Sequence, residues 1–250
     1  MGKKIAVVTN ARDFVGPPAV RALLDEGYRV VAQDPGFEDA QVKQAYATEH
    51  PGAEPVAVAD PQQLVDEVWE RHGRIDTLIS NDAFAAIHTP VEAADLEDLY
   101  ATIEHVMVAP FKLMQAAIPR LKAQGSGNVI LVTSCRTELP QPGGAMPDMA
   151  RAGANALVKS LSIELAPFGI PVNAIAPNYL YSEAYFPKAR FIEDPVGREF
   201  IREVVPAGRL GEPEEVGELV RYLANMKGSF HTGTIIKFAG GWPAAPERPI

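Results

Sequence analysis

The first residues with a recognisable chemical task are those able to hold an anion. Residues 5–16 read IAVVTNARDFVG, an apolar run followed by a turn that should open a helix. A strand, a tight turn and a helix in that order commonly hold the pyrophosphate of a dinucleotide. Turn amides donate to the phosphates, and glycines keep any Cβ out of their way. The pattern required is G-x-G-x-x-G or the related T-G-x-x-x-G-x-G. Thr9 and Gly16 are in place, but Asn10 and Phe14 stand where the other two glycines belong. SNDAF (80–84) puts Asp82 where a small residue would flank a cofactor, and APNYL (176–180) puts Asn178-Tyr179 where a glycine would admit a nicotinamide. Asp34 sits where a carboxylate would bind an adenine ribose, although Asp34-Pro35-Gly36 also suits a turn. Three loops filled with side chains predict a closed cofactor site. The alternative is that a neighbouring small residue serves the phosphates and Phe14 packs in the core.

These loops need a scaffold, and the rest of the chain supplies the pattern for one. Strands are predicted at 4–10, 29–34, 55–60, 75–80, 128–134, 170–177 and 233–241, with near-continuous apolar character that marks a sheet buried on both faces. Helical spacing recurs at 18–27, 61–73, 95–125, 151–169 and 212–226, each ending near Gly or Asn. The expectation is an α/β fold over 1–250: a single Rossmann-like doubly wound domain, with a seven-stranded parallel sheet and helices on both faces. Segments 135–146 and 179–200 fall outside the alternation and follow strand C-terminal ends, where such sheets bind ligands. The ending GWPAAPERPI reads as extended and able to dock on a neighbouring subunit.

Composition excludes several classes of function. A net charge of −9 leaves no basic stripe for nucleic acid. No apolar stretch approaches the ~18 residues of a membrane span. The chain starts without a signal-peptide pattern and carries Cys135 as its single cysteine, which favours a reducing, cytoplasmic setting. Cys135 reads better as a small buried residue than as a reactive thiol, and His50, His72, His88, His105 and His231 show no metal-ligand spacing.

With its GRLGEPEEVGELV stretch (208–220), the whole chain resembles the short-chain dehydrogenase/reductase superfamily, and within it the halohydrin dehalogenases. NARDFVG, SNDAF and PNYLYSEAYFP match, in order, the places where that family differs from its nicotinamide-dependent cousins. The resemblance implies no cofactor and no metal. It implies conversion of a vicinal haloalcohol to an epoxide plus halide, and the reverse ring opening by small anions. It also assigns halide and substrate contacts to Phe14, Asn81, Phe84, Pro177, Asn178, Tyr179, Leu180, Tyr185 and Phe186. The physics is consistent, because aromatic edges and a few turn amides hold a large, weakly hydrated halide without a lysine.

The resemblance further implies a Ser, Tyr and Arg set: the serine binds the substrate oxygen, the tyrosine is the base, and the arginine lowers the tyrosine's pKa. Ser134 and Arg151 match the serine and the arginine. The tyrosine's position, one helical turn before Arg151, is Pro147, and no tyrosine occurs in 101–178 that a shift could bring there. Asp148 is the nearest substitute base, although Pro147 and Asp148 also make an ordinary helix start. Arg136, Glu138 and His88 lie in loops that could border the pocket. Apolar positions in 95–125 and 147–166 exceed what one sheet face covers, and the family buries these helices between subunits, so a homotetramer or dimer is expected. Three readings stay open: a dehalogenase-like lyase with a weakened base, a silent anion- or metabolite-binding homologue, and a nicotinamide-dependent oxidoreductase.

Overall fold

A computed structural model gives the structure of residues 2–245; the last residues of the predicted C-terminal tail, 246–250, lie outside the described residues. Strands β1 (Ile5–Val8), β2 (Arg29–Gln33), β3 (Ala53–Val56), β4 (Thr77–Asn81), β5 (Asn128–Val132), β6 (Val172–Pro177) and β7 (Ile235–Phe238) form one sheet in the order β3-β2-β1-β4-β5-β6-β7. Every pairing is parallel. The chain reverses its winding at β1, whose neighbours are β2 and β4. Ligands bind beyond the strand C-termini at such a switch point.

Strand alternation distributes the core over two faces. Ile5 and Val7 pack with Leu64, Val68, Leu113, Leu121, Val158 and Leu165 from α3 (Pro61–His72), α5 (Ala109–Gln124) and α6 (Ala145–Leu165). Ala6 and Val8 pack with Val20, Leu23, Val216, Val220 and Leu223 from α1 (Gly16–Asp25) and α8 (Pro213–Ala224). Burying one such Val or Leu side chain stabilises by about 1.5–3 kcal/mol, so these faces hold the sheet rigid beneath its loops.

The differences from the sequence expectations are local. The strand expected at 55–60 pairs at Ala53–Val56, because Pro55 is acceptable on an edge strand. Helices α2 (Ala40–Glu49) and α7 (Pro195–Val204) were not predicted; the first buries Tyr46 alone and carries no readable apolar stripe, whereas the second repeats Val196, Phe200, Ile201 and Val204 at helical spacing, a stripe that sequence reasoning passed over. The pattern over 95–125 is two helices, α4 (Leu96–Ile103) and α5, joined by a π-helical turn at Glu104–Val108. Helix α6 starts at Ala145, so Pro147 lies inside its first turn, where a missing N–H costs nothing. The start of the tail packs on the domain: Trp242 is buried, its ring 5.7 Å from that of Tyr179.

Candidate functional site

The loops after β1, β4, β5 and β6 meet at the C-terminal rim and enclose a cavity of about 700 Å³. Phe14, Phe84, Ser134, Pro147, Arg151, Pro177, Asn178, Tyr179, Leu180, Tyr185 and Phe186 all line it. Two predicted residues do not. Asn81 is fully buried, and its Nδ2 donates to the carbonyls of Asn10 and Asp13 at 2.9 Å each, so it pins the β1 turn rather than touching a ligand. The Asp148 carboxylate is tied to Arg136 Nε and stays out of the cavity wall, because one step along a helix rotates a side chain by about 100° from Pro147.

Apart from the buried Val15 N–H, which has no partner among the described residues, the β1 turn consumes its own amides. Asn10 N–H donates to Gln33 Oε1, Ala11 N–H to the Gln33 carbonyl, Arg12 N–H to Asp34 Oδ2, Asp13 N–H to the Asn10 carbonyl, Phe14 N–H to Asp13 Oδ1 and Gly16 N–H to the Asp13 carbonyl. Asn10 and Phe14 adopt left-handed φ values of 46° and 50°, conformations that favour glycine. Gly16 is glycine of necessity, since a Cβ would lie 2.4 Å from the Asn10 carbonyl oxygen. The Asp34 carboxylate caps the following turn through Gly36 N–H, with the Arg12 guanidinium 3.6 Å away. A dinucleotide needs open amides and a free path along this turn. These residues do not fit one: all but the buried Val15 amide are spent, and the Phe14 ring meets Tyr185 edge-on at 4.9 Å.

The β5 and β6 side is hollow by contrast. Ser134 Oγ donates to the Pro177 carbonyl at 3.1 Å and accepts from Arg136 N–H at 3.2 Å. Next to it, Thr133 is a residue of the cavity wall whose Oγ1 is buried and has no hydrogen-bond partner among the described residues. Arg151, 6% exposed, donates from Nη1 to the Val132 carbonyl (3.4 Å) and from Nη2 to Tyr185 Oη (3.2 Å). Tyr185 Oη also accepts from Phe84 N–H (2.9 Å) and donates to the Phe84 carbonyl (2.7 Å), so that hydroxyl is saturated.

Tyr179 turns the chain after β6 with φ at 54°. Asn178 N–H is spent on the Phe238 carbonyl, and Tyr179 N–H is held by Asn178 Oδ1 at 3.1 Å. Pro177 has no N–H, so Leu180 keeps the one amide of the four predicted residues without a hydrogen bond among the described residues. Of the four residues expected to cradle an anion, Leu180 thus has the backbone N–H left over, with Tyr179 N–H shared locally. The Tyr179 and Phe186 rings, centroids 5.2 Å apart, both line the cavity.

Two neighbouring groups have shifted acidities. Burial raises the Asp82 carboxyl from 3.8 to about 7, against the opposing effects of Ser80 Oγ donating to both its oxygens and of the Arg151 charge. Burial, with Glu138 nearby, pushes the Cys135 thiol up to about 11, so it stays protonated and unreactive. Among the described residues no group of three His, Cys, Asp or Glu side chains could hold a metal ion, and no helix is long and apolar enough to cross a membrane.

Sequence reasoning missed Trp242, Phe191, Phe200, Thr133 and Arg190 in the cavity wall. Thr133, beside Ser134 at a strand end, was the one with a readable signal.

A parallel sheet wound in this order, with a serine after β5 and a cation on the following helix, defines a short-chain dehydrogenase/reductase. The chain belongs to that family: residues 15–243 match the family model described as enoyl-(acyl carrier protein) reductase. It is 30% identical over 246 residues to 3-oxoacyl-(acyl-carrier-protein) reductase FabG of Thermotoga maritima, covering 95% of this chain and 97% of that protein. It is 29% identical to dehydrogenase/reductase SDR family member 4 of Homo sapiens, over 98% of this chain and 89% of that one. Among solved structures it is similar to a halohydrin dehalogenase bound to ethyl (2S)-oxiran-2-ylacetate, with TM-score 0.95, 32% identity and coverage of 98% of this chain and 100% of that one. A structure described as a dehalogenation enzyme superposes with TM-score 0.92 at 33% identity, over 96% of this chain and 98% of its own.

Proposed function

We propose that this protein is a cofactor-independent lyase that interconverts vicinal haloalcohols with epoxides plus halide, and that it turns over slowly because Pro147 stands where a tyrosine base would. The observation that carries this reading is the contrast at the rim: among the described residues the β1 turn keeps only the buried Val15 amide, while Ser134 and Leu180, whose amide has no hydrogen bond, line the cavity.

In this reading Ser134 Oγ leaves the Pro177 carbonyl and donates to the substrate oxygen. The leaving halide is taken by Leu180 N–H and the edges of Tyr179 and Phe186. The oxygen's lone pair closes the three-membered ring as the carbon–halogen bond breaks, and the hydroxyl proton passes to water. Arg151, anchored by Tyr185, holds positive charge near the oxygen as the proton leaves. The saturated Tyr185 hydroxyl and the ion-paired Asp148 are poor bases, which supports slow turnover.

A silent anion-binding homologue is the second reading, favoured by Pro147 itself. Epoxide and bromide release from a vicinal bromoalcohol, assayed without nicotinamide, separates the two; absence of both from Ser134→Ala as well as from the unaltered protein favours the silent binder. Self-association through α4, α5 and α6 belongs to the proposal, supported by the exposed Leu96, Tyr100, Phe111 and Ile163, and a 27.0 kDa particle in light scattering would count against it.

A further inference from the structure

We propose that the substrate of this site carries a carboxylate a few bonds from its reacting oxygen, and that Arg136 reads it. The inference rests on the lyase reading above and names its substrate class.

The chain has a net charge of −9, yet among the described residues the wall of its cavity carries Arg136, Arg151 and Arg190 and no Asp or Glu. The three arginines differ in what they have left to give. Arg151 is committed to the Val132 carbonyl and Tyr185, and Arg190 lies at the exposed rim beside the Phe191 ring. The Arg136 side chain is only 18% exposed. Asp148 holds its Nε, and His88 Nε2 lies 3.5 Å from its Nη2. Its Nη1 has no acceptor among the described residues, and Arg136 lines the cavity. A guanidinium has five N–H donors in a planar fork, and its end-on pair matches the two oxygens of a carboxylate. Asp148 thus orients the group from behind and leaves its other end for a ligand. An anion there meets a donor pair that is already placed and partly shielded from water, where charge-assisted bonds are stronger.

The position sets the size of the ligand. Arg136 lies two residues beyond Ser134, a backbone span of at most about 7 Å, and its N–H bonds the Ser134 hydroxyl. Arg136 and Ser134 line one cavity of about 700 Å³, so a small molecule held there can meet both side chains. The class is short halohydroxy- and epoxy-carboxylates, and neutral esters of the same acids lose the second anchor.

The experiment compares 4-bromo-3-hydroxybutanoate with its ethyl ester, which share one reacting centre and differ in charge. The acid should be preferred in kcat/KM by about 10–100-fold, mostly through KM, as expected for a charge-assisted hydrogen-bond pair. Arg136→Gln should erase that preference, and Arg136→Lys, which keeps a charge beside Asp148, should retain part of it. Added salt should narrow the gap. Equal kcat/KM for acid and ester, or equal losses for both in Arg136→Gln, overturns the inference while leaving the lyase reading intact. If neither compound is turned over, the lyase reading fails, and calorimetry with 3-hydroxybutanoate and its ethyl ester still decides: tighter binding of the acid that Arg136→Gln abolishes upholds the carboxylate site, and equal or absent binding overturns it.

Discussion

Two turns at the same sheet edge face the same space and do opposite things with their backbones. The turn after β1 and the turn after β6 both place non-glycine residues in the left-handed region, Asn10 and Phe14 in one and Tyr179 in the other. Such residues cost of order 1–3 kcal/mol and persist where surrounding contacts over-determine them. In the β1 turn the contacts are polar: Gln33, Asp34, Asp13 and Asn81 take up its amides and carbonyls. In the β6 turn they are aromatic, from Phe186 and Trp242, and the Leu180 amide stays unspent. The same strain is thus used to seal one binding turn and to shape another.

The largest effect that sharpens this contrast should come from Pro147→Tyr. It puts a phenol on the cavity wall one turn from Arg151, and general-base catalysis is typically worth about 10²–10⁴-fold. Epoxide formation from a bromoalcohol should rise by at least the lower figure, and Ser134→Ala in that background should remove the gain. A folded but inert Pro147→Tyr would mean that the β6 side is not a catalytic cavity.

Halide binding comes next. If the Leu180 turn is the anion cradle, bromide at a hundred-fold excess over its dissociation constant should stabilise the fold by about 2.7 kcal/mol. Thermal denaturation in bromide against sulfate at matched ionic strength reads this, and an equal shift in both salts would break the comparison. Tyr185→Phe should cost about 1–3 kcal/mol in chemical denaturation, because Phe84 N–H and Arg151 Nη2 lose their acceptor in a partly buried site.

A smaller effect should follow from Asp82. Its folded-state pKa of about 7 lies above the unfolded value of 3.8, so the native state holds the extra proton between the two. Its contribution to stability is present below pH 4 and is lost as pH rises through 7. Asp82→Asn should remove that slope, measured by denaturant titration across the window. The smallest expected effect is none at all. Phe14→Gly removes the ring that blocks the path, yet NADPH should still fail to bind in calorimetry, because the turn's amides remain committed to Gln33, Asp34 and Asp13. Micromolar binding would show that the ring alone closed the turn.

Much of this was legible before any coordinates. Apolar runs and helical spacing marked all seven strands and the helices of the two cores, since burial on both sheet faces leaves a direct trace in residue type. Helix α2 left none, being anchored by one buried residue, while the stripe Val196, Phe200, Ile201 and Val204 of α7 was there to be read and was missed. Most of the candidate site was visible as residue types in the wrong loops: Phe14 and Asn178 where glycine belongs, Pro147 where tyrosine does. Asn81 and Asp148 were read as ligand-facing, and they turned inward to the Asn10 and Asp13 carbonyls and to Arg136.

The sequence by itself determined the sheet, its winding and the presence of obstructed rim loops, because each is written in local composition and periodicity. Only the tertiary structure decided which donors remain available. Tyr185 meets Arg151 and Phe84 across segments remote in the chain, Trp242 folds back on Tyr179, and Asp148 commits to Arg136 while Arg136 Nη1 stays free among the described residues. Hydrogen-bond capacity is a property of a side chain, but whether it is spent depends on what the fold brings within about 3 Å of it.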